Sequence, residues 1–266
     1  VSKLAIVGGG FMGGALAEGL LDAGWHRDSF VVAEVSQDRR EKLTQHLKVR
    51  TTESAFEAVT GATTVLFAVK PQNVPDMLAA LAPHWRPGQL CISICAGIRI
   101  SRFEESLGGE VPVIRTMPNT PAAVGMGVTA LARGRFATDQ HLAVALNILS
   151  AVGRVVVVEE AQMDAVTAVS GSGPAYVFYL AEALIEAAIE QGLDSDQAHL
   201  LTYQTFVGAA HLLRHDGAGP AELRRRVTSP NGTTHAALSH LEAERWADTF
   251  REAVARARQR AEALGR

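Results

Sequence analysis

Gly8, Gly10 and Gly13 fall at the G-x-G-x-x-G spacing, between the apolar run Leu4–Val7 and a small-residue helix pattern reaching Leu21. Each glycine has its own physical reason. The first permits the tight turn out of a strand. The second lets backbone approach a pyrophosphate with no Cβ in the way, and the third lets the helix pack close to the strand. Phosphates then rest on the helix N-terminus, where N–H groups without partners and the helix dipole favour negative charge. A tight strand-to-helix turn with no ligand is the plainer alternative. The position between an apolar strand and an apolar helix favours a dinucleotide site.

The second stretch is Ser229–Thr234, SPNGTT. Pro-Asn-Gly is turn chemistry, and Thr233 or Thr234 then opens a helix. Backbone N–H groups and three hydroxyls converge there, which makes either a cradle for a small carboxylate or an ordinary capped turn. Other residues fare less well. His211 and His215 lie four apart on a helix but lack a third ligand and any H-E-x-x-H pattern, so no metal site is expected. Lys70, before Pro71 at a strand end, reads as a cofactor-loop residue rather than a base.

These residues need a scaffold. With 266 residues the chain is long enough for two domains, and 47% hydrophobic with 20% charged residues is ordinary for a soluble protein. A net charge of −3 gives no reason to expect nucleic acid or an anionic membrane. Arg224–Arg226 and the arginines from Arg251 to Arg266 are interleaved with Glu222, Glu252 and Glu262, a solvated helix face. No membrane span and no signal peptide are expected, so the chain is placed in the cytoplasm. Cys91 and Cys95, in CISIC, would lie on one strand face about 13 Å apart at ~3.3 Å per residue. A disulfide needs Cα atoms within about 7 Å, so buried thiols in a reducing compartment are expected.

Apolar runs at Leu4–Val7, Ser29–Ser36, Ala62–Val69, Gln89–Ala96, Val111–Thr116, Gly127–Ala132 and Gly153–Val158 alternate with helical patterns. This predicts an α/β fold, a Rossmann-type doubly wound sheet over residues 1–160. Near the end of its second run stands Glu34, 21 residues after Gly13, where an acidic residue would hold the ribose 2′-hydroxyl of NAD. Ser36, Arg39 and Arg40 follow at once and could equally grip the 2′-phosphate of NADP. Both cofactors stay open. Residues 161–266 read as entirely helical. The pattern over Ala175–Gln191 carries one narrow polar stripe, Glu182, Glu186 and Glu190, and is apolar elsewhere, so a partner subunit is expected to cover it.

GGGFMGGAL, AVKPQ, CAGI, RTMPNTP, VSGSGPAY and VTSPNGTT, in this order over nearly the whole length, make the chain resemble the 1-pyrroline-5-carboxylate reductases of proline biosynthesis. The resemblance implies hydride transfer from NADPH or NADH to the imine carbon of a cyclic imino acid, giving L-proline. It also implies a helical C-terminal dimerisation domain, with a homodimer or a ring of dimers. By position, Gly8, Gly10, Phe11, Met12 and Gly13 would hold the pyrophosphate, with Glu34, Ser36 and Arg39 at the adenosine end. Ala68, Val69, Lys70, Pro71, Ala96 and Gly97 would line the route to the nicotinamide, with Asn119 nearby. Ser229, Gly232 and Thr233 match positions that bind the substrate carboxylate, and Thr234 matches the threonine whose hydroxyl contacts the ring nitrogen. Two departures stand out. Asn231 replaces the usual glycine of SPGGTT, though asparagine tolerates positive φ. Glu34 is a carboxylate where NADP-preferring members are small or polar, which favours NADH more than in the family at large.

Rival readings are a β-hydroxyacid dehydrogenase, a reductase of another cyclic imine, and a non-enzymatic dinucleotide sensor. The first wants a catalytic lysine in the second domain, yet no lysine follows Lys70. The sensor would be expected to lose the SPxGTT threonines, which this chain keeps.

Overall fold

The computed structural model describes residues 4–265. Val1 and Arg266, the last of the arginines assigned above to a helix face, lie outside the described residues. The chain divides into two compact units, 4–172 with 257–265, and 173–256. The expected boundary at 160 therefore falls inside the first unit.

In the first unit, strands β1 (Leu4–Val7), β2 (Phe30–Ala33), β3 (Arg50–Thr52), β4 (Thr64–Phe67), β5 (Leu90–Ser93), β6 (Val113–Met117), β7 (Gly127–Arg133) and β8 (Gly153–Val157) form one sheet. Its order is β3-β2-β1-β4-β5-β6-β7-β8. The central runs LAIV, FVVA, TVLF and LCIS are buried throughout, as strands covered on both faces must be. Alternate residues feed two cores. Ala5, Val7, Val65 and Phe67 face one way; Leu4, Ile6, Val32 and Leu66 face the other. Helices α1 (Phe11–Asp22) and α6 (Asp139–Leu149) cover the second face through Leu16, Leu20, Ile148 and Leu149. Between them in sequence lie α2 (Gln37–Leu47), α3 (Ala55–Thr60), α4 (Val74–Leu81) and α5 (Ile100–Leu107); the last three cover the first face. Phe67 is fully buried between Trp85 and Phe103, whose rings lie 6.2 and 5.5 Å away. Burying such a side chain contributes about 1.5–3 kcal/mol.

One feature departs from the sequence reading. Strand β3 was not anticipated, because Arg-Thr-Thr offers neither an apolar run nor alternation. Its place is fixed by pairing with β2 and by Glu57, which accepts hydrogen bonds from Thr52 Oγ1 (2.6 Å) and Arg50 Nη2 (2.7 Å). Those two bonds, that from Thr52 first, hold the Glu57 carboxyl below its usual range. The sheet is not parallel throughout, since β6 and β7 pair antiparallel. Only a short 3-10 turn, Thr120–Val124, lies between them, too little chain for a parallel crossover.

Both cysteines are buried free thiols. Burial pushes the Cys95 thiol up to about 11, partly offset by hydrogen bonding with Ser93 and the Val69 backbone, and burial lifts Cys91 too. The unfolded chain ionises first as pH rises, so stability falls through the window from about pH 9 to 11. The loss at Cys95 is on the order of 2–3 kcal/mol. Urea unfolding at pH 8 and 10.5 tests this: the drop in midpoint should be smaller in Cys95→Ala than in the parent. Equal drops would mean that the thiol carries none of the loss.

After α7 (Met163–Val166) a π-turn spans Thr167–Gly171, closed by the Ser172 N–H donating to the Thr167 carbonyl at 2.8 Å. The second unit holds α8 (Gly173–Glu190), α9 (Ser195–His215), α10 (Pro220–Arg226) and α11 (Thr233–Ala243), and the start of α12 (Trp246–Leu264). Tyr176 meets Phe250 edge-on, with Trp246 stacked on the same ring. Helix α8 buries none of its residues within the chain, and Phe178 and Tyr179 are 65% and 74% exposed. Leu200, Leu201 and Val207 leave α9 similarly bare. Apolar faces of this extent mark an interaction surface. Arg225 and Arg226 both pair with Glu222, and Arg226 also pairs with Asp216, so these arginines form a solvated ion-pair network.

Candidate active site

The strand order reverses at β1, with β2 on one side and β4 on the other. At the C-terminal ends of these strands an open cleft of about 640 Å³ is lined by the glycine turn, the end of β2 and the loop after β4. Ligands in open α/β sheets bind at such a switch point.

The three glycines do what their spacing requires. Gly8 has φ +110°, and a Cβ there would lie 2.6 Å from the Ala68 carbonyl oxygen. A Cβ on Gly13 would sit 1.9 Å from the Gly8 carbonyl oxygen, so α1 approaches the turn as closely as atoms allow. Gly10 opens to the cleft, with Arg39 Nη1 at 4.0 Å as the nearest atom to its absent side chain. As the N-cap of α1 it offers no side-chain cap. The first N–H groups of α1, on Phe11, Met12 and Gly13, have no acceptor within the helix and stand ready for an anion. A diphosphate fits this cradle, whose backbone a Cβ at Gly8 or Gly13 would force apart.

Glu34 is only 6% exposed, because both its carboxylate oxygens are engaged. Oε2 accepts the Gly9 N–H and Oε1 the Ser36 N–H, each at 2.9 Å. Arg39 Nη1 stands 3.8 Å from Oε2. Arg40 donates to the Glu34 and Val35 carbonyls at 2.7 and 2.8 Å, and reaches Glu53 at 3.3 Å.

Of the residues expected to meet the cofactor, Gly8, Gly10, Phe11, Met12, Glu34, Arg39, Ala68, Val69 and Lys70 line the cleft. Gly13, Ser36 and Pro71 are not among its lining residues, and Pro71 begins the short 3-10 turn after Lys70. Gly97 lies instead beside Leu264, whose carbonyl oxygen would be 3.3 Å from a Cβ at that glycine. Asn119 Oδ1 accepts the Val128 N–H at 2.9 Å and so ties β7 to the end of β6. The sequence reading did not name Glu53, Ala55, Asn73 and Met77, which also line the cleft. Glu53 and Ala55 follow the unanticipated β3, while Asn73 and Met77 lie just beyond the AVKPQ motif.

In the second unit, Asn231 has φ +59°, the left-handed conformation, and the Gly232 N–H donates to the Ser229 carbonyl at 3.0 Å. A Cβ on Gly232 would lie 2.4 Å from Ser229 Oγ, so a larger residue there would displace that hydroxyl. Gly232 is the N-cap of α11 and brings no side-chain cap. The N–H groups of Thr233, Thr234 and His235 thus lack helical acceptors beside the hydroxyls of Ser229, Thr233 and Thr234. Among the described residues no group of three or more His, Cys, Asp or Glu side chains is placed to hold a metal ion.

A Rossmann cleft with this glycine cradle defines a dinucleotide-binding oxidoreductase. The family model for pyrroline-5-carboxylate reductase dimerisation matches residues 160–264, and that for NADP oxidoreductase, coenzyme F420-dependent, matches residues 3–97. Pyrroline-5-carboxylate reductase of Mycobacterium tuberculosis is 43% identical, over 99% of this chain and 97% of its own. Among solved structures, that of the Coxiella burnetii pyrroline-5-carboxylate reductase superposes with a TM-score of 0.93 at 34% identity, covering 100% of this chain and 99% of its own. The Plasmodium falciparum pyrroline carboxylate reductase with NADP bound gives a TM-score of 0.90 at 29% identity, covering 100% and 98%. The chain belongs to the pyrroline-5-carboxylate reductase family.

Proposed function

We propose that the Gly8–Met12 turn holds NAD(P)H while residues 229–234 hold 1-pyrroline-5-carboxylate, so that the chain reduces this cyclic imine to L-proline. The turn at 229–234 carries this reading, because an uncapped helix start beside three hydroxyls suits one small carboxylate. NAD(P)H, when bound, supplies the hydride. A protonated imine is already an electrophile, so the protein needs no strong acid and we assign no catalytic histidine. Its work is to position the ring and exclude water. Ser229, Gly232 and Thr233 take the carboxylate, and the Thr234 hydroxyl orients the ring nitrogen. Ala68 to Pro71, Ala96, Gly97 and Asn119 keep the nicotinamide-side role that their motifs suggest.

A second copy of the chain is the natural cover for the apolar faces of α8 and α9, with a ring of dimers as the larger assembly. Among the described residues no helix is long and apolar enough to cross a membrane. We place the enzyme in the cytoplasm, a reading that the two unpaired buried thiols support.

The test is nicotinamide absorbance with pyrroline-5-carboxylate. Substrate-dependent oxidation of the dinucleotide, with proline as product, is the expected result. Folded protein that binds dinucleotide but oxidises neither NADH nor NADPH would overturn the reductase reading and leave a sensor.

A further inference from the structure

We propose that Glu34 is a charge filter fixed in place by the glycine turn itself, and that it makes this chain select a dinucleotide without a 2′-phosphate. The inference rests on the reading of the cleft as a dinucleotide site. An acidic residue at the end of β2 meets the adenosine ribose, accepting hydrogen bonds from its hydroxyls and repelling a phosphate on the 2′ oxygen. A side chain free to turn away could yield to that phosphate. Glu34 is not free, since its two oxygens hold the N–H groups of Gly9 and Ser36 at 2.9 Å each. Removing the carboxylate from the phosphate position would therefore release the pyrophosphate turn as well.

The surroundings act in the same direction. The Ser36 N–H, a natural phosphate donor at the start of α2, already belongs to Glu34. Arg40 is turned onto the Glu34 and Val35 carbonyls and Glu53, so its Nη1 donors are both spent within the protein. Arg39 is the exception: 3.8 Å from Glu34, it offsets that carboxylate in part and so works against the filter. Glu53 adds a second carboxylate to the same cleft. The Plasmodium relative holds NADP on the same fold, so these local residues, and not the fold, must set the preference.

The experiment is calorimetric titration of the full-length protein with AMP and with adenosine 2′,5′-bisphosphate, beside steady-state rates with NADH and NADPH. AMP should bind at least about 10-fold more tightly, and kcat/KM should favour NADH by a similar factor. In Glu34→Ser the two fragments should approach parity, with both bound more weakly because the Gly9 N–H has lost its acceptor. Should that variant fail to fold, Glu53→Gln serves, as Glu53 does not touch the glycine turn. It should shift the fragment ratio in the same direction by a smaller factor. Equal or tighter binding of the bisphosphate to the parent protein would overturn the filter even if the imine is reduced. Selective AMP binding without imine reduction by either dinucleotide would instead overturn the reductase reading and leave the filter standing.

Discussion

Replacing Gly13 by alanine should weaken dinucleotide binding by 100-fold or more, while the same change at Gly14 should leave it within about threefold. The two residues are neighbours in one helix, so helix propensity favours alanine at both, by roughly 0.5–1 kcal/mol. Space separates them. The new methyl at Gly13 would lie 1.9 Å from the Gly8 carbonyl oxygen, a backbone atom that cannot swing aside. At Gly14 the nearest atom is a Leu43 methyl at 3.8 Å, ordinary van der Waals contact. Relieving the first clash means lifting the start of α1 from the turn, which costs about 1–3 kcal/mol of packing. It also moves the N–H groups of Phe11 and Met12 from the position that a diphosphate must occupy. Fluorescence titration with NADH, with a urea midpoint for each variant, decides the matter. Gly13→Ala binding within threefold of the parent would show that the close approach is not what forms the cradle.

The G-x-G-x-x-G turn was legible in the sequence because each glycine answers a local demand, a turn, an open face or a close contact. The buried strands were legible for a similar reason, since a strand covered on both faces must be a continuous apolar run. Strand β3 was not, because Arg50, Thr51 and Thr52 are held by pairing and by Glu57, partners that no local pattern reveals. Missing it hid Glu53 and Ala55, which reach the cleft only because β3 brings the chain back beside β2. Glu34 was visible as a carboxylate at the right distance from Gly13. Its bonds to Gly9 and Ser36 were not, being contacts between separate turns. The bare face of α8 follows the sequence closely: a narrow glutamate stripe among apolar residues leaves a surface that the chain's own fold does not bury.

Thr234→Ala should lower kcat for pyrroline-5-carboxylate by about 10- to 100-fold while leaving the dissociation constant for NADH unchanged. The factor corresponds to one hydrogen bond worth roughly 1.4–2.7 kcal/mol at a nitrogen that carries charge. The turn before it is rigid. Asn231 is set in the left-handed region, the Gly232 N–H is tied to the Ser229 carbonyl, and the Ser229 hydroxyl packs against Gly232 where a side chain would begin. Such a turn can fix the carboxylate while leaving the ring free to tilt, and the Thr234 hydroxyl then removes that freedom. Losing the hydroxyl should therefore act on kcat. Ser229→Ala, which removes a carboxylate contact present before and during reaction, should act mainly on KM. Thr234→Ser keeps the oxygen and should recover most of the rate. If Thr234→Ala falls by less than twofold in kcat, or if the serine variant is as slow as the alanine, the hydroxyl does not meet the reacting ring. The role of the turn would then end at carboxylate capture.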